Sequence, residues 1–365
     1  MEQRKIQECC QFVTDGDHLP PPKSKKGIPF ITITNINEFN KILFDDVMYV
    51  PESYFSELSH TKKAQKGDIL YSVVGSFGKP VFITDNKKFV FQRYIALLRP
   101  NDTINGKYLY YSMLNPSFFK VVDKYAIGCS QRTVTLDTLR NLKINIPSRT
   151  IQDNIAGILS LLDEKIDKNN VINDNLQQEL CLIYEHIMSQ SKKGLILGTH
   201  AIASELSEIT TGREDANFAD TNGKYKFFTC SSETLKCNHY AFNSSSILIA
   251  GNGEFNVKHF SGKFNAYQRT YVLTPKQEHY GLLYLACLYQ IKSFKSSSAG
   301  SIVKFITKGD IDNIPVFIPD DGNYLIQMNK LLDLQEMRLR ENEKLLALRD
   351  FLLPLLMNGQ ATIAE

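Results

Sequence analysis

The sequence predicts a mixed α/β (α+β) protein in which two similar domains alternate with two long helices, the helices pairing as an antiparallel coiled coil under a pseudo-twofold. Three observations predict it. The chain aligns with itself, each copy closes on an Ile-Pro step, and each Ile-Pro leads into a long helical pattern. The boundaries that follow are a first domain over 1–147, a central helix over 148–193, a second domain over 194–320, a C-terminal helix over 321–358 and a tail over 359–365.

The repeat is kept in order. Phe12-Val13-Thr14-Asp15-Gly16 followed by Gly27-Ile28-Pro29-Phe30-Ile31 recurs as Ile209-Thr210-Thr211-Gly212 followed by Gly223-Lys224-Tyr225-Lys226-Phe227-Phe228. Asp68-Ile69-Leu70 with Gly75-Ser76-Phe77 matches Ser246-Ile247-Leu248 with Gly253-Glu254-Phe255, and Phe91-Gln92-Arg93-Tyr94 matches Tyr267-Gln268-Arg269-Thr270. Gly128, Arg132, Asn141-Leu142 and Ile146-Pro147 then align with Gly300, Lys304, Asn313-Ile314 and Ile318-Pro319. Within each copy, short β-rich runs such as Ile69 to Val74, Pro80 to Ile83, Phe89 to Phe91 and Ile95 to Leu98 are separated by Gly, Asp-Asn and Lys-Lys turns. A helical pattern follows, from Tyr108 to Leu114 in the first copy and Gly281 to Tyr289 in the second.

In the central helix Ile155, Leu162, Asn169, Leu176 and Ile183 are seven apart, with Leu159, Ile166, Asn173, Leu180 and Ile187 between them, which is a coiled-coil seam. The second helix, from about Tyr324, is less regular: Leu331, Leu334, Leu345, Leu348, Leu352 and Leu355 form its stripe, and Arg338 and Glu341 interrupt the middle. Both seams therefore turn polar near their centres, as register-fixing coiled coils do. Helices of this length would carry the domains at opposite ends, and Pro354 should end or kink the second one in its last turn.

Composition excludes several classes. Of 365 residues 43% are hydrophobic and 22% charged, which is ordinary globular usage. No run reaches the roughly 18 to 20 apolar residues of a membrane helix, and the polar start carries no signal-peptide pattern, so a cytoplasmic protein without a membrane partner is expected. The seven cysteines are scattered without a C-x-x-C pair; a zinc site at Cys230, Cys237 and His239 matches no common finger. The net charge of +3 is uneven: residues 1–147 hold 20 Lys/Arg against 14 Asp/Glu, whereas 148–193 and 321–365 each hold 5 against 7, so a polyanion should meet the domains rather than the helices.

Catalytic motifs fail in turn. Gly75-Ser76-Phe77-Gly78-Lys79-Pro80 lacks the spacing and hydroxyl of a phosphate-binding loop and reads as a hairpin. Asn115-Pro116-Ser117-Phe118 is a near miss to an amino-methyltransferase loop but has no Gly-rich cofactor loop with it, and reads as a helix-stopping turn. No Gly-x-Ser-x-Gly turn occurs, and His18 beside Asp15 and Asp17 reads more simply as a loop before Pro20-Pro21-Pro22 than as a metal or acid/base cluster. Neither a catalytic residue nor a metal site is assigned. Duplicated modules suit a twofold polymer, so double-stranded DNA is the expected ligand. Candidate contacts are Gln92, Arg93, Gln131, Arg132, Gln268 and Arg269, whose side chains can pair with base edges, and Lys79, Lys87, Lys88 and Lys304, suited to phosphates. Arg93 and Arg269 could instead support the fold by pairing with carboxylates.

Taken together the residues resemble a known family, the specificity (S) subunit of type I restriction-modification systems. The resemblance is carried by Thr14-Asp15-Gly16-Asp17-His18 with Gly27-Ile28-Pro29-Phe30-Ile31, Lys66-Gly67-Asp68-Ile69-Leu70, Thr211-Gly212 with Asp215-Ala216-Asn217, Gly223-x-Tyr225-x-Phe227-Phe228-Thr229, and the tail Leu352-Leu353-Pro354-Leu355-Leu356-Met357-Asn358-Gly359. It implies a non-catalytic subunit with two target recognition domains, each reading half of a split DNA site. It further implies two adenine methyltransferase (M) subunits around the long helices and restriction/translocase (R) subunits joining them. S-adenosylmethionine, ATP and Mg2+ would then belong to those partners, with no cofactor on this chain. Coiled-coil and partner contacts are expected along the helices, at Leu162, Ile166, Asn169, Asn173, Leu176, Leu180, Leu345, Leu348 and Leu352. The compact N-terminus and irregular second helix depart from the family pattern. A coiled-coil nucleic-acid-binding adaptor outside restriction, or a methyltransferase or nuclease with unrecognised motifs, are the other readings.

Overall fold

The computed structural model describes residues 2–129, 131–297 and 305–361. Its backbone falls into two compact units, one of residues 1–166 with 344–365 and one of residues 167–343, so the division runs through both long helices.

In the first unit the chain runs β1 (Glu2–Lys5), β2 (Cys10–Asp15), β3 (Ile28–Ile31), β4 (Met48–Val50), α1 (Glu52–Glu57), β5 (Ile69–Ser72), β6 (Pro80–Phe82), β7 (Val90–Phe91), β8 (Ile95–Pro100), α2 (Gly106–Leu114), α3 (Pro116–Tyr125), α4 (Leu136–Asn141), β9 (Lys143–Ile146) and the start of α5 (Arg149–Lys192). A four-stranded sheet in the order β2-β8-β5-β6 is flanked by a three-stranded sheet β4-β3-β7, and β1 pairs β9 at the entry to α5. Successive residues of a strand face opposite sides of the sheet. Ile69, Tyr71, Ala96 and Leu98 accordingly pack with the helices, while Leu70, Ile95 and Leu97 pack with Ile31, Val81 and Phe91. Both faces are covered, which is why β5 and β8 read as unbroken apolar runs.

The second unit follows with the rest of α5, then β10 (Gly198–Ile202), α6 (Ala203–Leu206), β11 (Ser207–Thr211), β12 (Tyr225–Phe228), β13 (Thr234–Cys237), β14 (Phe242–Ala250), β15 (Val257–Ala266), β16 (Thr270–Pro275), α7 (Tyr280–Ser297), α8 (Lys308–Asp312), β17 (Pro315–Pro319) and α9 (Asn323–Met357). Its sheet order, β11-β16-β14-β15-β12-β13, is the first unit's plan with the two sheets joined. Where the first unit breaks between β6 and β7 at Asp85-Asn86-Lys87-Lys88, the second runs through in β15, whose Gly262 takes φ 135°. In both units the flanking strand pairs in parallel, Ile31 with Phe91 and Phe228 with Ala266.

The α5 seam is as the heptads predict. Ile155, Leu159, Ile166, Asn169, Leu180 and Ile187 are buried, and Leu162, Asn173 and Leu176 are half-buried. For α9 the leucine stripe holds in part: Leu331 is buried and Leu334, Leu345, Leu352 and Leu355 are half-buried, but Leu348 is 44% exposed, and Met328, Leu332, Gln335, Asn342, Leu353 and Leu356, outside the stripe, are buried. The phase is hidden because polar side chains occupy three seam places. In the second unit Gln335 donates to the Asn173 carbonyl at 3.0 Å, Asn169 donates to Asn342 at 2.8 Å and to Glu341 at 2.9 Å, and Asn342 donates to Asn170 at 2.8 Å. In the first, Arg349 pairs with Asp163 at 3.0 Å, and Tyr111 of α2 donates to the same carboxylate at 2.7 Å. These contacts make the two helix segments antiparallel within each unit. Arg338 pairs with Glu341 along its own helix. Pro354 lies in the last turn of α9, which ends at Met357 before Gly359 turns the chain at φ 68°.

Two outcomes test this packing. Leu353→Ala should cost about 2–5 kcal/mol and Leu348→Ala under about 0.5, read from urea unfolding midpoints, whereas the sequence stripe alone would make Leu348 the core residue. Separately, His259 of β15 stands edge-on to Tyr284 with centroids 4.9 Å apart, and burial, assisted by the Lys226 charge and opposed by Gln335, lowers it to about 4. The folded state thus favours neutral imidazole, while the unfolded chain takes up a proton near pH 6.5. Stability should fall between about pH 6.5 and about pH 4, by on the order of 3 kcal/mol, and His259→Asn should flatten that slope.

Candidate nucleic-acid interface

The strand pairings gather the first unit's candidate residues at one end of its four-stranded sheet. β2 ends there at Asp15, β5 ends at Ser72, β6 begins at Pro80 and β8 begins at Ile95. Lys79, Arg93, Gln131 and Arg132 lie in the connections at this end. Lys87 and Lys88 do not: they follow the other end of β6, Lys87 over the Phe44 ring at 3.4 Å and Lys88 over Phe55 at 5.9 Å. Ile127 and Thr133 are joined by two hydrogen bonds, and the chain beside them is tied to the β5–β6 turn by Gly75 N–H donating to the Arg132 carbonyl at 2.9 Å. Gln131 is exposed there. Arg132 is tied down: its guanidinium pairs with Asp123 of α3 and lies over the Phe77 ring at 5.4 Å, so part of its role is to hold the loop. Arg93 is exposed and makes no ion pair among the described residues; it donates to Tyr94 at 3.2 Å with its guanidinium 5.1 Å from that ring.

The second unit has the matching end, where β11 and β14 finish and β15 and β16 begin. Gln268 and Arg269 are exposed there, with Arg213. Lys304 and its loop fall in residues 298–304, outside the described residues, but Ile306 donates to Gly251 at 2.7 Å as Val134 donates to Val73 at 2.8 Å, which keeps the repeat's offset there.

At the turn before β8 and β16 the self-alignment is corrected by one residue. Ile95 N–H closes on the Gln92 carbonyl and Thr270 N–H on that of Tyr267; Arg93 N–H donates to Asp17 and Gln268 N–H to Glu214. Arg93 therefore corresponds to Gln268 and Tyr94 to Arg269, with Gln92 matching Tyr267. Identical Gln-Arg dipeptides one step apart had drawn the alignment out of register. Tyr94, Tyr267 and Arg213 are the surface residues that sequence pattern missed, and anchoring the comparison on the first residue of each strand would have found them.

The other sequence candidates take structural places. Asn115 is buried, caps α3 by accepting from Ser117 N–H at 3.1 Å, and donates to Asn358, a helix junction rather than a cofactor loop. His18 pairs with Asp15 at 2.7 Å, whereas Asp17 is buried between Tyr54 and Lys62; burial, then the hydrogen bond to Asp17, pushes the Tyr54 phenol up to about 12. The Cys237 thiol donates to the His239 carbonyl and that of Cys230 to Arg269, and no three metal-ligating side chains converge among the described residues. No helix among them is long and apolar enough to cross a membrane.

The profile of the type I restriction modification DNA specificity domain matches residues 1–178 and 203–330. The chain belongs to this family. Among relatives, the type I restriction enzyme EcoDI specificity subunit of Escherichia coli is 38% identical over 165 residues, 43% of this chain and 37% of that protein. The HindI specificity subunit of Haemophilus influenzae is 29% identical over 123 residues, 32% of this chain and 27% of that one. The chain thus matches less than half the length of each of these relatives. A crystal structure of the type I restriction-modification S subunit from M. genitalium covers 100% of this chain and 96% of its own, with a TM-score of 0.61 at 17% identity, a likeness of fold.

Gly16 and Gly212 share one steric explanation. A β-carbon at Gly16 would lie far inside contact distance of the Phe91 and Gln92 carbonyls, and one at Gly212 of the Ala266 and Tyr267 carbonyls. Gly16→Ala should therefore destabilise the protein by about 2–4 kcal/mol, while Gly157→Ala, on open helix surface, should stabilise it by up to about 1. Chemical unfolding of the two variants measures both, and a neutral Gly16→Ala would show that the strand end can move aside.

Proposed function

We propose that this chain is the non-catalytic, sequence-reading subunit of a cytoplasmic type I restriction-modification complex, binding a bipartite double-stranded DNA target with one half read by each repeated domain. The observation that carries the reading is the pair of matching sheet ends, each presenting exposed Arg and Gln side chains that serve no carboxylate of the fold among the described residues. Gln131, Arg93, Gln268 and Arg269 suit base edges, and Lys79 suits phosphate. Lys87 and Lys88, on a different surface, suit a sequence-independent backbone contact. Two adenine methyltransferase subunits would dock along the long helices, on which Leu161, Leu348 and Phe351 of the first unit, and Leu182 of the second, are exposed. They would hold S-adenosylmethionine, and restriction subunits would hold ATP and Mg2+.

The test is methylation of duplex DNA by the full chain, alone and with its methyltransferase. Methyl transfer should appear only in the combination and only at a split sequence. Lys87→Ala with Lys88→Ala should weaken binding to all duplexes and reduce the salt slope by up to about two, leaving the half-sites unchanged. Methyl transfer by the purified chain alone would overturn the proposal.

A further inference from the structure

The turns at Arg93-Tyr94 and Gln268-Arg269 are held by the same five backbone hydrogen bonds. In the first unit Gly16 donates to Ile95 at 3.1 Å, Gln92 to Ile31 at 3.0 Å, Arg93 to Asp17 at 3.0 Å, Ile95 to Gln92 at 3.0 Å and Val73 to Tyr94 at 2.9 Å. In the second Gly212 donates to Thr270 at 3.0 Å, Tyr267 to Phe228 at 2.8 Å, Gln268 to Glu214 at 2.9 Å, Thr270 to Tyr267 at 2.8 Å and Gly251 to Arg269 at 2.9 Å. A parallel bridge joins Asp17 to Gln92 in one and Glu214 to Tyr267 in the other. Every one of these contacts is made by main chain. The frame therefore fixes where the two turn side chains stand without depending on what they are.

What the two frames present differs. The first turn position holds Arg93 in one unit and Gln268 in the other, both exposed and neither in an ion pair among the described residues. The second holds Tyr94 and Arg269. Tyr94 meets the Arg93 guanidinium through its ring and its hydroxyl. An extended Arg offers the two donors that match the O6 and N7 acceptors of guanine, and Gln offers the donor and acceptor that match N6 and N7 of adenine. Arg132, by contrast, is engaged with Asp123 of α3 and the Phe77 ring.

We propose that the first turn position is an equivalent base-reading slot in both domains, with Arg93 selecting a guanine in one half-site and Gln268 an adenine in the other. This rests on the DNA-reading function proposed above and names the residues that would set its specificity. Because the frame is main chain, exchanging the slot residues should exchange the preference without loss of folding.

The experiment is selection of bound duplexes from a randomised library by the full chain co-purified with its methyltransferase, for wild type, Arg93→Gln, Arg93→Ala and Gln268→Arg. Arg93→Gln should replace guanine by adenine at one position of one half-site, and Gln268→Arg should do the reverse in the other half. Arg93→Ala should relax that same position, with discrimination falling roughly five- to hundred-fold. Thermal unfolding of each variant within a few degrees of wild type would establish that the slot carries no folding role. If Arg93→Ala weakens all duplexes alike and lowers the salt slope by about one, the side chain contacts phosphate and the slot is refuted. Unchanged half-sites in Arg93→Gln and Gln268→Arg, or shifts in both halves at once, refute it equally. A wild-type chain that selects no sequence at all would remove the DNA-reading function itself, an outcome distinct from a selective wild type with indifferent variants.

Discussion

The turn end of each domain's sheet depends on a main-chain crossing that only glycine permits. At Gly16 and Gly212 the end of an edge strand is pressed against the carbonyls that precede the turn, Phe91 and Gln92 in one unit and Ala266 and Tyr267 in the other. That approach lets the next residues bridge in parallel to the turn, which in turn starts β8 and β16, the second strands of their sheets. Any side chain at the crossing would separate the strands and release the turn. The Thr-Asp-Gly and Thr-Thr-Gly steps are therefore the fixed points of a surface whose outward residues are free to vary.

A different logic governs the helix pair. Placing Gln335 and Asn342 in the seam, with Arg349 half-buried beyond them, sacrifices apolar contact, and amide atoms there, including Asn169 Oδ1 and Asn173 Nδ2, find no protein partner among the described residues. Such layers contribute less than leucines would, but they penalise a slip of one heptad, which would part Arg349 from Asp163 and Asn342 from Asn169 and Asn170. Specificity of pairing is thus gained at the expense of stability. Tyr111 reaching the same Asp163 joins the first domain's α2 to that choice of register.

This division explains what was legible in the sequence. Strand runs such as Ile69-Leu70-Tyr71 and the α5 heptads announce themselves because apolar burial recurs with a period the backbone imposes. The α9 seam did not, since reading only leucines moves the stripe onto its flank when polar residues hold the seam; the three positions seven apart, Gln335, Asn342 and Arg349, carry the true phase. The site was legible as a neighbourhood but not residue by residue. Gly16, Gly212 and the Gln-Arg turns marked the same end of each sheet, yet the correspondence of Arg93 with Gln268 lies in main-chain hydrogen bonds that leave no trace in side-chain identity. The tethering of Arg132 by Asp123 depends on a contact across the tertiary fold, which spacing along the chain does not encode.

The contrast between Arg132 and Arg93 shows how a repeated domain can acquire two specificities while remaining one fold. Both arginines sit at the same end of the same sheet, both are partly or fully accessible, and both lean on an aromatic ring. Only Arg132 closes an ion pair to a helix, so replacing it removes a constraint on α3 as well as a polar surface group. Arg93 leans on its own neighbour, Tyr94, and when the second unit replaces that pair with Gln268-Arg269 the five surrounding hydrogen bonds are all retained. If the turn reads bases as proposed, a main-chain frame would separate the free energy of folding from that of recognition: substitutions at the turn would alter which base edges can be satisfied, while strand pairing, the glycine crossing and the core beneath would be left as they were. Two copies of such a frame in one chain can diverge independently.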